Sequence, residues 1–435
     1  MLIEFNVANY RSFKDRVTLS MLATNDDSLQ ESNVIVTEKR QLLKSVVVYG
    51  ANASGKSNLL NAMRSMRRMV LTSSKDTQAN EDIDVESFKL STESDGKPCL
   101  FEIVFVQNNC TYRYGFEADR KRVHSEWLFN TPRTKEAQLF VREGKQFEVN
   151  SKRFKEGQGL EGKTRENALF LSVCAQWNGE ISKNLLSWFR DFSFIHGLYD
   201  YTHLRTTVNK LTDITKKRWI LEMTKLADLS IDDIEGREER LTYDSLPDDM
   251  PEEVKKEVIA QEIMTVELKT VHKKFGENGT DAGTVVFDLE ENESGGTQKF
   301  LNLAGPLLET IETGKLLVID ELDARLHPLL TRAVVKLFNS AANSKNAQLI
   351  FASHDINLLS NKIFRRDQVW FTEKDQFGAT NLYSLIELQK VRKKASFGKD
   401  YILGKYGAIP FIGDPKWFFC EEINGKGLAA ETTLQ

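Results

Sequence analysis

The chain has 435 residues, 40% of them hydrophobic and 28% charged, with a net charge of −4. Its length predicts two lobes rather than one core, its charge excludes a general polycation, and no stretch reaches the roughly 20 apolar residues of a membrane helix. Cys99, Cys110, Cys174 and Cys420 lack C-x-x-C spacing, which indicates neither a disulfide framework nor a zinc knuckle and makes a reduced, cytoplasmic location the expectation.

The first residues alternate, with Ile3, Phe5 and Val7 against polar neighbours, the period of a half-buried strand and not the pattern of a signal peptide. Val17, Leu19 and Met21 repeat it and predict a hairpin. Val46-Val47-Val48 is a β-branched run suited to a strand buried on both faces. A Gly-rich turn and an amphipathic helix through Leu59, Leu60, Met63 and Met66 follow, giving one β-loop-α unit. From Phe88 to Asn150, alternating segments separated by turns such as Gln107-Asn108-Asn109 predict an antiparallel meander. Helical spacing dominates from Ser182 to Gln261, broken by the acidic, Pro-containing stretch from Asp244 to Glu253. Two strands come next, Met264 to Phe275 and Thr284 to Glu290, then a helix from Gly296 to Ile311. The apolar runs Leu316-Leu317-Val318-Ile319 and Leu349-Ile350-Phe351 then rebuild a parallel sheet from the far end of the chain. The predicted class is α/β, a split head interrupted by an antiparallel β lobe and a helical insertion. Its expected divisions are 1–150, 151–263 and 264–390, with a tail over 391–435.

Gly50-Ala51-Asn52-Ala53-Ser54-Gly55-Lys56-Ser57 fits G-x-x-x-x-G-K-[ST] without mismatch, and a predicted strand precedes it while a predicted helix follows. The glycines let the backbone curl, so that successive N–H groups, those of Asn52, Ala53 and Ser54 and of the helix start through Asn58, face phosphate oxygens. Lys56 can reach the β- and γ-phosphates, and the Ser57 hydroxyl can ligate Mg²⁺. The strand Leu316–Ile319 ends in Asp320 and Glu321. Two carboxylates at the end of a buried strand are costly unless a cation or a reaction uses them. Asp320 suits Mg²⁺, and Glu321 suits the orientation and deprotonation of an attacking water. Roughly 260 residues separate Lys56 from Asp320, wider than a small GTPase or an AAA+ module allows. Thr372-Glu373-Lys374-Asp375 puts Glu where a guanine clamp needs Lys, which favours ATP. No H-E-x-x-H, no Ser/His/Asp order and no clustered metal ligands mark a second active site.

Glu293-Ser294-Gly295-Gly296-Thr297-Gln298 resembles the ABC signature L-S-G-G-Q, with an extra Thr before the Gln, and opens a helix whose N-terminus suits an anion. Leu322-Asp323-Ala324-Arg325-Leu326-His327-Pro328 stands where the D-loop of such ATPases would be, and its His-Pro ending resembles the RecF and OLD-type branch. Ser353-His354-Asp355 resembles the segment of the switch histidine that contacts γ-phosphate in that superfamily. The opening Phe5-x-Val7-x-Asn9-Tyr10-Arg11-Ser12-Phe13 is similar to the first strand of RecF and SMC proteins. By that analogy Arg11 approaches the nucleotide, the alternative being a surface arginine. Gln176 in Cys174-Ala175-Gln176-Trp177 is the candidate for the Q-loop glutamine that senses Mg²⁺. The end, Tyr401 to Pro410, looks like the abortive-infection branch of these ATPases, which includes components of the AbiL, RloA/RloB and PARIS systems. The resemblance implies a P-loop NTPase with an ABC-type head that uses ATP and Mg²⁺, with Lys56, Glu321 and His354 catalytic. It further implies a homodimer or higher homo-oligomer, in which Ser294, Gly295 and Gly296 of one chain cap the other's ATP. Such a protein would sense or regulate, with a separate effector, a nuclease or Toprim-like protein encoded nearby, doing the damage. The alternative is a RecF-like repair ATPase that binds DNA directly. Lys216-Lys217-Arg218 and Arg392-Lys393-Lys394 are its candidate patches, or else plain solvated faces.

Overall fold

Two sheets, one antiparallel and one mainly parallel, enclose the helix that follows the Gly-rich turn. The computed structural model describes residues 1–410, except 77, 79, 198–202, 228, 244–245, 247–248, 262–263, 390 and 394. The chain opens with the predicted hairpin, β1 (Leu2–Ala8) and β2 (Val17–Ser20), which pairs Phe5 with Leu19 and Val7 with Val17. A small ribbon, β3 (Val34–Val36) and β4 (Gln41–Leu43), leads into β5 (Ser45–Tyr49) and helix α1 (Lys56–Thr72). The meander is β6 (Cys99–Gln107), β7 (Cys110–Ala118), β8 (Val123–Thr131), β9 (Ala137–Glu143) and β10 (Gln146–Val149). It joins the first hairpin through β1, giving the order β10-β9-β8-β7-β6-β1-β2.

Helices α2 (Phe170–Gln176) and α3 (Glu180–Asp191) then lead to β11 (Ser193–His196). After α4 (Leu204–Leu211) and α5 (Ile214–Leu226) the chain forms β12 (Asp233–Arg240), α6 (Glu252–Ala260), β13 (Met264–Phe275) and β14 (Asp281–Asp288). The long helix α7 (Gly295–Thr313) precedes β15 (Leu316–Asp320), α8 (Pro328–Phe338), β16 (Gln348–Ala352), β17 (Val369–Lys374) and β18 (Thr380–Ser384). The stretch from Ser182 to Gln261 is therefore not purely helical. It contributes β11 to the parallel sheet and β12 to a three-stranded sheet, β12-β13-β14. The residues 244, 245, 247 and 248 of the acidic stretch and Cys420 lie outside the described residues.

The second large sheet runs β11-β15-β16-β5-β17-β18, parallel except for the last pair. Its central strands are buried on both faces, which is why they read as unbroken apolar runs. Alternate residues serve different layers. Val46 and Val48 pack with Leu59, Leu60, Met63 and Met66 of α1 in a core that continues into Phe5, Phe101 and Phe116 of the antiparallel sheet. Val47 and Tyr49 face the other way, toward Phe300, Leu303 and Leu307 of α7 and Val334 and Phe338 of α8. A smaller core beneath the three-stranded sheet joins Leu204, Val208, Ile234 and Leu268 to Leu301, Ala304 and Leu308 of α7. Helix α7 thus bridges two cores. Among the described residues no helix is long and apolar enough to cross a membrane.

The contact between α4 and α7 is unusually close. Thr207 Oγ1 donates to the Leu301 carbonyl at 2.7 Å and accepts from Gly305 N at 2.9 Å, so a hydroxyl is inserted into the helical ladder next to Pro306. A β-carbon at Gly305 would lie 2.5 Å from Thr207 Cα. Backbone on both sides leaves nothing flexible to give way, so Gly305→Ala is expected to destabilise the fold by about 1–3 kcal/mol. Chemical denaturation reads this directly, and an unchanged midpoint would contradict it.

Candidate functional site

The carboxyl ends of β5, β15 and β16 converge on one edge of the parallel sheet, where open α/β folds place their ligands. After β5 the backbone must turn back sharply to start α1. Gly50 permits this because a β-carbon there would fall 2.5 Å from Ser54 Oγ and from the Thr372 carbonyl. Ala53 sits at φ +60° and Gly55 at φ +117°, so the loop curls before the helix begins at Lys56. Two threonines from the neighbouring hairpin fasten it. Ser54 Oγ and Thr372 Oγ1 are 2.7 Å apart, and Thr380 Oγ1 donates to the Ser54 carbonyl at 2.8 Å. The first N–H groups of α1 have no acceptor within the helix, and with the loop amides they form an anion cradle. Ser57 and Asn58 lie on this first turn, and Asn58 Nδ2 donates to Ser12 Oγ at 2.8 Å.

Lys56 is buried, its Nζ donating to the carbonyls of Gly50 at 2.9 Å and Ala51 at 3.0 Å. Burial pulls its ammonium down to about 8, against the fields of Asp320, Glu321 and Asp323, which pull it up. Those acids reach it because β15 ends beside the loop. Asp320 is 1% exposed, and neither carboxylate oxygen has a hydrogen-bond partner in the protein. A buried, unsatisfied carboxylate in the field of the Lys56 ammonium, together with the Ser57 hydroxyl on the first turn of α1, is the hard-oxygen donor set that Mg²⁺ takes when phosphates supply the remaining ligands. These residues fit that ion. Among the described residues no group of three or more His, Cys, Asp or Glu side chains could hold a metal unaided.

Glu321 follows at φ +53°, a left-handed conformation that aims the side chain away from the line of the strand. From β16, His354 receives the same field. Desolvation lowers its imidazole first and the Lys56 charge lowers it further, opposed by Asp323, Glu321 and Asp320. Its backbone N–H donates to Asp323 at 3.1 Å, and Leu322 N donates to the Ala352 carbonyl at 3.2 Å, lacing the ends of β15 and β16 together. Lys56, Asp320, Glu321 and His354 therefore share one site.

A family model described as "AAA domain, putative AbiEii toxin, Type IV TA system" matches residues 45–360, from the start of β5 to just beyond β16. The chain belongs to this family. The matched span of the AAA domain holds the Gly-rich loop, the two acids and His354. Solved structures similar to it include the SMC head domain from Thermotoga maritima, at 13% identity and a TM-score of 0.39, over 88% of this chain and 98% of that one. A SmcHead bound to the C-winged helix domain of ScpA has 12% identity and a TM-score of 0.41 over 88% and 97%. An Smc head with an extended coiled coil, bound to the C-terminal domain of ScpA derived from Pyrococcus furiosus, has 12% and 0.35 over 93% and 98%. No curated protein matches the chain.

The other expected site residues are Ser294, Gly295, Gly296, Arg11 and Gln176. Ser294 caps α7, its Oγ accepting from Thr297 N at 3.2 Å, and Ser294 and Gly295 are exposed. Among the described residues no hydrogen bond or ion pair joins Ser294, Gly295 or Gly296 to the loop from Gly50 to Ser57. Arg11 stands beside Ser12, next to the start of α1, with its guanidinium 3.8 Å from Glu86 and over the Tyr10 ring. Gln176 is a correction. It ends α2, which is fastened to the far end of α1 by Ser172 Oγ donating to the Val70 carbonyl at 2.6 Å. Fourteen residues of helix, about 21 Å, separate that point from Lys56. The residue that does stand beside the acids is His196, at the end of β11, with Nε2 4.0 Å from Asp320 Oδ2. Its neighbour Gly197 donates its N–H to the Asp320 carbonyl at 2.7 Å. The only trace in the sequence was the short run Phe194-Ile195-His196-Gly197, hidden among helical segments. Within the basic runs Lys216 pairs with Asp213, Lys217 with Asp233, and Lys393 with Asp26 and Asp27, and Lys394 lies outside the described residues.

Proposed function

We propose that the chain is an ABC-type ATPase that hydrolyses ATP as a two-fold dimer. The observation that carries this is the division of the site: a loop, acid and histidine group on one edge, and a Ser294-Gly295-Gly296 turn, exposed at Ser294 and Gly295, that no hydrogen bond or ion pair among the described residues joins to the loop of its own chain. Two copies packed antiparallel put each turn against the other's triphosphate. The loop amides and Lys56 hold the β- and γ-phosphates, Glu321 takes the proton of the attacking water, and His354 steadies the γ-phosphoryl group. Mg²⁺, held by Ser57 and Asp320, would neutralise charge on the phosphates. Closure with ATP and reopening after hydrolysis form a two-state element. The family's description, a putative AbiEii toxin of a type IV TA system, supports a part in an abortive-infection system; a sensing role beside a separate effector is our reading of the chain's resemblance to the ATPase components of such systems. Pairing of Lys216, Lys217 and Lys393 with acids weakens the case for a direct DNA contact through the two basic runs.

Mixing tests the composite site. Lys56→Ala and Ser294→Arg proteins are each expected to be inert. Their mixture is expected to exceed the sum of the two parents, to a ceiling of about a quarter of wild-type turnover that holds where the sites work independently, since half the dimers are mixed and each keeps one of two sites. Phosphate release no greater than the sum of the two parents would overturn the shared site.

A further inference from the structure

Lys299 is fully buried on α7, one turn beyond the Ser294-Gly295-Gly296 turn. A buried ammonium is costly unless its donors are used, and two of the acceptors this one reaches lie on a single turn. Nζ donates to the Glu321 carbonyl at 3.1 Å and to the Ala324 carbonyl at 2.5 Å. Those carbonyls sit on the turn after β15, where Glu321 and Arg325 both hold left-handed backbone, at φ +53° and +59°. Non-glycine residues rarely adopt that region, and they keep it only where surrounding contacts over-determine it.

A second contact joins the same two segments. A β-carbon at Gly296 would lie 3.0 Å from the Arg325 carbonyl, and one at Gly295 would lie 3.8 Å from Arg325 Cδ. The start of α7 and the turn carrying Glu321 are thus in direct contact within one chain. From the opposite side Gly197 presses on the Glu321 carbonyl so closely that any β-carbon there would overlap it. The backbone of Glu321 is held between the end of β11 and the ammonium on α7.

We propose that Lys299 is a positioning residue that ties Glu321 to α7, so that docking of Ser294-Gly295-Gly296 on a partner's ATP sets the carboxylate of its own chain. Lys299 touches no reacting atom. It acts through the Glu321 and Ala324 carbonyls, and it links the two sites of a dimer: the end of α7 that reads one ATP anchors the residue that deprotonates the water attacking the other. The proposal rests on the dimeric reading above.

Lys299→Met in the full-length protein removes the charge and keeps the length of the side chain. Binding of a fluorescent ATP analogue, and ATP-driven dimerisation of the Lys299→Met/Glu321→Gln protein, are expected to stay within about twofold of their parents. Turnover is expected to fall about 30- to 100-fold, the cost of an ångström-scale misplacement, with KM little changed and the Hill coefficient for ATP dropping from near two to one. Wild-type turnover and cooperativity in the variant would overturn the proposal, as would a wild-type Hill coefficient of one. A loss of ATP binding equal to the loss of turnover would also overturn it, since that marks a merely structural lysine. Should Lys299→Met not fold, Lys299→Gln is read by the same criteria. A wild-type chain that stays monomeric with Mg-ATP sinks the dimeric reading instead, whatever Lys299 does.

Discussion

The Glu321→Gln protein is expected to bind Mg-ATP as the wild type does, to hydrolyse it about a thousandfold more slowly and to accumulate as an ATP-bound dimer. Glutamine keeps the shape of the side chain and can still orient a water, but it cannot accept the proton. The backbone around it depends on carbonyl and amide contacts that the substitution leaves alone: Lys299 on the Glu321 carbonyl, Leu322 N on Ala352, and His354 N on Asp323. The loss therefore falls on the chemical step and not on the assembly of the site. Phosphate release gives the rate, and light scattering with ATP and then with ADP gives the mass. Full turnover by Glu321→Gln would remove the proposed base. A slow protein that stays monomeric with ATP would keep the base and remove the dimer.

The nucleotide edge was legible because its physics is local. A glycine loop between a buried strand and a helix, and an apolar strand closing on two acids, state their chemistry within a few residues, so β5, α1, β15 and β16 stand where the sequence predicts them. Several other strands are not legible, β11 and β12 among them. β11 is four residues long, and its partner in β15 lies more than a hundred positions away, so no nearby turn announces it. β12, Asp233-Ile-Glu-Gly-Arg-Glu-Glu-Arg, is an edge strand in which Ile234 alone is deeply buried. Edge strands carry charge to discourage further pairing, which erases the alternation by which strands are recognised. The same gap explains Gln176. Without β11, nothing in the sequence marks His196 as the residue beside Asp320, while Gln176, a glutamine of suitable type, ends a helix packed at the far end of α1.

Glu126→Ala is expected to cost about 3–5 kcal/mol of stability, the range for breaking a buried, hydrogen-bonded charge pair. The carboxylate is fully buried in β8 and joins three elements. It accepts from Phe170 N at 2.6 Å and Leu171 N at 3.0 Å, capping α2, and from the Tyr114 hydroxyl of β7 at 2.9 Å. Arg142 of β9 stands 3.8 Å away, itself buried and donating to the carbonyls of Gly144 and Ala168. Burial pushes the Glu126 carboxyl above the usual range, and the Arg142 charge with the amide and hydroxyl donors works against it. Removing Glu126 alone leaves a buried guanidinium without its counter-charge and two helix N–H groups without an acceptor. Replacing both charges, as in Glu126→Met/Arg142→Met, is expected to cost less than the sum of the single changes, because the stranded partner disappears with the pair. Urea unfolding of the four proteins completes the cycle. Strict additivity would show that the helix cap, and not the charge pair, holds α2 against the antiparallel sheet.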